Sequence, residues 1–109
     1  MSESILQLNF DLNVSSGDYS EAANQMANLF AEVPGLKWKI WLLDEERGEA
    51  GGIYLFDDDE SLQLFLESPL AAEVKAHPGL RNLEAKRFGI MQGPTSVTRG
   101  PVRATTSVG

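Results

Sequence analysis

Pro34-Gly35-Leu36-Lys37-Trp38-Lys39-Ile40-Trp41, followed by Glu49-Ala50-Gly51-Gly52-Ile53-Tyr54-Leu55-Phe56, decides the reading of the fold. Both tryptophans and one of the two tyrosines fall inside it. The spacing has period two, so it predicts two strands, and the charged run Asp44-Glu45-Glu46-Arg47-Gly48 between them predicts a hairpin turn. Trp38, Ile40 and Leu42 share one face of the first strand. Lys37, Lys39, Trp41 and Leu43 share the other. In the second strand Ile53 and Leu55 oppose Tyr54 and Phe56. Large side chains on both faces require cover on both faces. A chain of 109 residues builds one modest core, so a second subunit is the expected source of the second cover. Gly51-Gly52 inside a strand predicts a bulge or a close approach of another backbone.

Ile5 to Leu12 also alternates, with Leu6, Leu8, Phe10 and Leu12 on one face. Asp18, with Glu21 three residues on, predicts the start of a helix that carries Ala22, Met26, Leu29, Phe30 and Val33 at helical spacing. Pro34-Gly35 ends it. Asp57-Asp58-Asp59-Glu60 suits a helix start through the helix dipole. Ser68-Pro69 restarts a helix and Pro78-Gly79 stops it. Leu83 to Met91 reads as a fourth strand. The order β-α-β-β-α-β predicts an α+β, ferredoxin-like antiparallel sheet with helices on one face. Residues 1–92 form the expected single domain. Residues 93–109 are rich in Gly, Pro, Ser and Thr and carry no acidic group, which predicts a flexible or partner-crossing tail.

Composition narrows the chemistry. The sequence has no cysteine, which removes disulfides, thiol catalysis and thiolate metal sites. One histidine cannot supply a site that needs two imidazoles from one chain. A net charge of -7 without a basic face argues against nucleic acid as a partner. Met1-Ser2-Glu3-Ser4 lacks the pattern of a signal peptide, and no apolar run is long enough to span a membrane. A cytoplasmic protein is expected. Neither a phosphate-binding glycine loop nor a nucleophile elbow is present.

Ile5-Leu6-Gln7-Leu8-Asn9-Phe10, together with the two blocks of the hairpin, resembles the YdhR-type monooxygenases of the dimeric α+β barrel superfamily. The resemblance covers about residues 5–92. It implies a homodimer whose two sheets close into one barrel, with a small pocket in each protomer. It also implies a cofactor-independent monooxygenase acting on a small aromatic or apolar compound. The alternative is a non-catalytic dimer that binds a small ligand or serves in stress. Isomerase chemistry would require an acid-base group that the sequence does not single out. Fold alone does not choose among these.

An oxygenase without a cofactor draws its electrons from an electron-rich phenol or quinol. The protein must then orient the substrate, exclude water and stabilise a developing anion. The expected pocket lies between the sheet and the helices. Its candidate residues are Phe10, Trp38 and Tyr54 as lining, with Asn9, His77 and Arg87 as polar groups. Arg87 or Lys39 could hold a carboxylate or phenolate, and Asn9 or Gln7 could donate a hydrogen bond. Strand parity sets Asn9 and Phe10 on opposite faces, so only one of them can belong. Each also has a plain structural role: aromatic residues on strands pack cores and interfaces, and Arg87 suits a surface ion pair. His77 resembles the haem ligand of haem-degrading relatives, but it also suits the negative end of a helix.

Overall fold

The computed structural model describes residues 2–103. Four strands, β1 (Ser4–Leu12), β2 (Leu36–Asp44), β3 (Glu49–Phe56) and β4 (Leu80–Phe88), form one antiparallel sheet in the order β2-β3-β1-β4. Helices α1 (Ser16–Ala31), α2 (Asp59–Leu66) and α3 (Pro69–Ala76) cover one face, and a short helix α4 (Gln92–Val97) follows β4. This is the expected α+β ferredoxin-like arrangement. The central strands bury their helix-facing residues: Leu6, Leu8 and Phe10 of β1, and Tyr54 and Phe56 of β3. Phe30, Leu62, Phe65 and Ala71 come down from the helices to complete the core. Phe65 packs against Tyr54 and Phe56, with ring centroids 5.3 and 5.7 Å apart.

Strand pairing fixes which residues share a face. Leu6 lies opposite Tyr54 and Leu8 opposite Gly52, while Lys39 and Trp41 lie opposite Tyr54 and Gly52 from the other side. Lys39, Trp41, Tyr54, Leu8 and Phe10 therefore look toward the helices. Trp38, Ile40, Leu42, Ile53, Leu55, Ile5 and Asn9 look the other way. Gly51 meets the backbone of β1: a Cβ there would overlap the carbonyl oxygen of Leu8 and lie 3.1 Å from the Cα of Asn9. Here the glycine pair marks a close backbone approach, and the pairing of β2 with β3 stays regular through it.

Three boundaries differ from expectation. The N-cap of α1 is Ser15, whose hydroxyl accepts the amide of Asp18 at 3.0 Å, so the helix begins before Asp18. Strand β4 spans Leu80–Phe88 in place of 83–91. Its first half hid from the alternation because the register shifts opposite Asn9 and Asp11, where Asn82 adopts a left-handed φ of 57° and donates to Asp11 at 2.7 Å. The third concerns the segment after Gln92, read as a tail. It contains α4, and beyond it the indole Nε1 of Trp38 donates to the Pro101 carbonyl at 2.7 Å. Residues 104–109 of the expected tail lie outside the described residues.

Buried Glu3 ties this segment down. Its carboxylate accepts the Lys37 ammonium and the Arg103 amide, each at 2.7 Å. Burial pushes the carboxyl up, but the hydrogen bonds from Lys37 and Arg103 outweigh it and hold the group below its ordinary value. Arg103 also reaches Asp57 at 3.9 Å.

Candidate active site

Between the helix-facing side of β1, β2 and β3 and helices α1 and α3 lies a cavity of about 310 Å³. Its walls are mostly apolar, with Phe10, Met26, Phe30, Trp41, Tyr54 and Val74 among the lining residues. This size suits a compact aromatic molecule. The polar groups are few. Asp18 and Glu73 come from exposed helix positions, Tyr19 from α1, and His77 from the end of α3.

Lys39 is the unusual member. Its Nζ lies 3.3 Å from the centre of the Trp41 ring system, 3.6 Å from that of Phe30 and 4.6 Å from that of Tyr54. No acidic side chain among the described residues pairs with it, although Lys37 two positions earlier binds Glu3. Burial pushes the Lys39 ammonium down to about 7. The ring faces act in the opposite sense, each favouring the charged form by roughly 0.5–2 kcal/mol. Among the described residues Lys39 is thus an amine set among ring faces, with no carboxylate and no hydrogen-bond acceptor.

Tyr54 is the second unpartnered group. It is 2% exposed, and its hydroxyl has no hydrogen-bond partner among the described residues. Burial raises its pKa, with the neighbouring Tyr19 adding to the effect, so the phenol stays protonated and remains a donor. A buried hydroxyl without a partner is costly, which marks Tyr54 as a group that a ligand oxygen would satisfy.

Of the residues expected from sequence, Phe10, Tyr54 and His77 line this cavity. Trp38 and Asn9 sit on the opposite face of the sheet, Trp38 bound to Pro101 and Asn9 accepting from Gln7 at 3.0 Å. Arg87 faces the helices but is held by Gln63 of α2 at 2.7 Å, away from the lining residues. His77 accepts the amide of Gly79 at its Nδ1, 2.9 Å away, which leaves Nε2 as the nitrogen able to donate. Among the described residues, no cluster of three His, Asp or Glu side chains could hold a metal ion.

The family model for the group described as "Putative mono-oxygenase ydhR" matches residues 5–101. This chain belongs to the ydhR family. The match runs past Gln92, into the segment that Trp38 anchors. No curated protein matches the sequence. Among solved structures, this chain is similar to SnoaB, a cofactor-independent oxygenase from Streptomyces nogalater. The TM-score is 0.69 at 18% identity, covering 84% of this chain and 96% of that one. It is also similar to NE2512, a protein of unknown function from Nitrosomonas europaea, with a TM-score of 0.70 at 14% identity, covering 84% and 91%. A third is the haem-degrader MhuD from Mycobacterium tuberculosis, with a TM-score of 0.62 at 16% identity, covering 80% and 95%. At these identities this chain shares a fold with them, and the fold alone assigns no site. Among the described residues, no helix is long and apolar enough to cross a membrane.

Proposed function

We propose that the protein is a cofactor-independent oxygenase of a small, flat, electron-rich aromatic compound such as a phenol or quinol. The observation that carries this reading is an apolar, aromatic-walled cavity in which Lys39 has no ionic partner, and the Tyr54 hydroxyl no hydrogen-bond partner, among the described residues. Membership of the ydhR family supports the activity class. SnoaB is a precedent for such chemistry on this fold.

The residues fit defined roles. The neutral amine of Lys39 takes the phenol proton. The resulting ammonium stays beside the phenolate and stabilises it. Tyr54 donates to a substrate oxygen. The phenolate then gives electrons to molecular oxygen, so the substrate is its own reductant. The atoms balance when a ring C–H carbon of the phenol becomes a quinone carbonyl carbon: one oxygen atom enters there, and the other leaves as water with the ring hydrogen and the phenolic proton that Lys39 had taken. The walls of Phe10, Phe30 and Trp41 keep bulk water from the intermediate.

The test is oxygen consumption by the purified protein across a panel of phenols and quinols. At least one compound is expected to drive uptake, and Tyr54→Phe is expected to slow it roughly tenfold or more through loss of one buried donor. Ligands that bind tightly while none supports uptake would make this a binding protein instead.

The working unit we propose is a homodimer joined through the face of the sheet that the helices leave open. Ile40 and Phe88 on that face are 48% and 50% exposed, Ile40 beside Trp38, Leu42 and Ile53 and Phe88 beside Ile5. A stable pair is expected to bury on the order of 1,200–2,000 Å2 or more. Light scattering at micromolar concentration should give twice the chain mass; a monomer mass would defeat the assembly.

A further inference from the structure

The cavity holds an amine with no counterion among the described residues, and amines of that kind have a second chemistry. We propose that Lys39 is a covalent capture site for small aromatic aldehydes, forming an imine inside the cavity. This goes beyond oxygenation, although it shares the cavity on which that reading rests.

Lys39 sits in the middle of β2, opposite Tyr54, on the face that looks into the cavity. Gly52 of β3 makes room for its stem: a Cβ there would come within 2.9 Å of the Lys39 Cε. The stem is therefore confined, and its end is set among Phe30, Trp41 and Tyr54. The carboxylates of Asp18 and Glu73 line the same cavity, but neither forms an ion pair with Lys39. An ion pair would hold the proton on nitrogen; its absence leaves only ring faces to do so. Burial acts against the charge and brings the group to about 7, so a large share is free amine at neutral pH.

The same walls select the partner. A benzaldehyde-sized ring can stack on Phe30 or Trp41, with the unpartnered Tyr54 hydroxyl available to its carbonyl oxygen. Nζ attacks the carbonyl carbon, and the C=O π pair moves to oxygen, which takes a proton. A carbinolamine results. Loss of water, whose hydrogens come from the amine, then gives the C=N bond. One aldehyde is consumed and one water released, with no change of oxidation state.

The other three lysines are an internal control. Lys75 and Lys86 are exposed, and Lys37 is paired with Glu3. The full chain is incubated with benzaldehyde and sodium cyanoborohydride at pH 7.5 without oxygen, then digested and mapped by mass. Lys39 is expected to be benzylated roughly tenfold or more faster than the other lysines, because far more of it is unprotonated. Lys39→Arg, which keeps the charge and the stem, should lose this fast phase while the slow labelling of the other lysines persists. Equal rates at all four lysines, or a fast phase that survives in Lys39→Arg, would overturn the proposal. Because the trapping needs neither oxygen nor turnover, the two readings fail on different measurements: equal labelling would remove Lys39 as the base of the oxygenase, whereas oxygen uptake itself is read on the electrode. A silent oxygen electrode leaves a selective trapping result standing.

Discussion

Lys39→Met is expected to raise the stability of the folded protein near pH 6 and to remove substrate-driven oxygen uptake. The unfolded chain holds Lys39 as an ordinary ammonium, whereas burial lowers its pKa in the fold to about 7. Between those two values the unfolded state binds more protons than the folded one, so this group makes stability rise with pH. The cost is full below about pH 7 and fades toward the ordinary lysine value. Ring faces offset part of it, and the methionine sulfur keeps some of that contact. A net gain of roughly 1–3 kcal/mol at pH 6 is expected. Urea melts of both proteins at pH 6 and pH 9.5 check this. The gap should be largest at pH 6 and should narrow clearly at pH 9.5. A variant that is less stable at pH 6, or a gap that ignores pH, would refute the account of Lys39 as a buried, unpaired amine. In turnover, loss of the proton acceptor and of the anion's counter-charge should cost about 100-fold or more. A protein that tolerates a destabilising amine at one position retains it for what the amine does.

Gly51→Val is expected to have the largest effect on folding of any single change considered. The new Cβ would collide with the Leu8 carbonyl and press on its carbon at 3.0 Å and on the Asn9 Cα at 3.1 Å. All three are backbone atoms of the neighbouring central strand, so no side-chain rotation relieves the clash. Strands β1 and β3 would have to separate where both build the core. A loss of about 3 kcal/mol or more is expected. In a domain of this size that lowers the melting temperature by about 10 °C or more. Gly17→Ala is the contrast. It lies in the first turn of α1, nothing stands within 4 Å of its Cβ, and it should gain about 0.5–1 kcal/mol. Thermal melts of the two variants should therefore move in opposite directions. A Gly51→Val protein that melts with the parent would disprove the close approach.

The strands were legible because their alternation is strong where it matters. Leu6, Leu8 and Phe10 against Gln7 and Asn9 read as one buried and one open face, and the pairing register agrees. Strand β4 was legible only in part. A left-handed Asn82 and the register shift beside it break the period of two, and nothing in a list of residues announces that break. In the site, parity correctly separated Phe10 from Asn9 and Trp38 from Trp41. It could not say which face the helices would cover at β2. Lys37 and Lys39 made the Trp41 face look polar, although Lys37 belongs to Glu3 at the sheet's end and Lys39 to the cavity. A lysine flanked two residues on by tryptophan and opposite a tyrosine was the available signal. Reading it required knowing that Phe30 of α1 would close over the group. The anchoring of Pro101 by Trp38 was beyond reach for a similar reason, since a side chain on β2 meets a carbonyl 63 positions away.

The adjacent glycines of β3 divide two tasks between them. Gly51 keeps the strands at their spacing, whereas Gly52 leaves a notch in which the stem of Lys39 lies. Any side chain at Gly52 would meet the Lys39 Cε at 2.9 Å and the Tyr54 ring at 3.2 Å, and of the two the lysine stem is the one free to move. The sheet could absorb that change, but the amine could not keep its place. Gly52 therefore works as a depth gauge for the reactive nitrogen. It sets how far into the cavity the nitrogen reaches, and one methyl group there would shift the nitrogen with Lys39 and Tyr54 both still in the sequence.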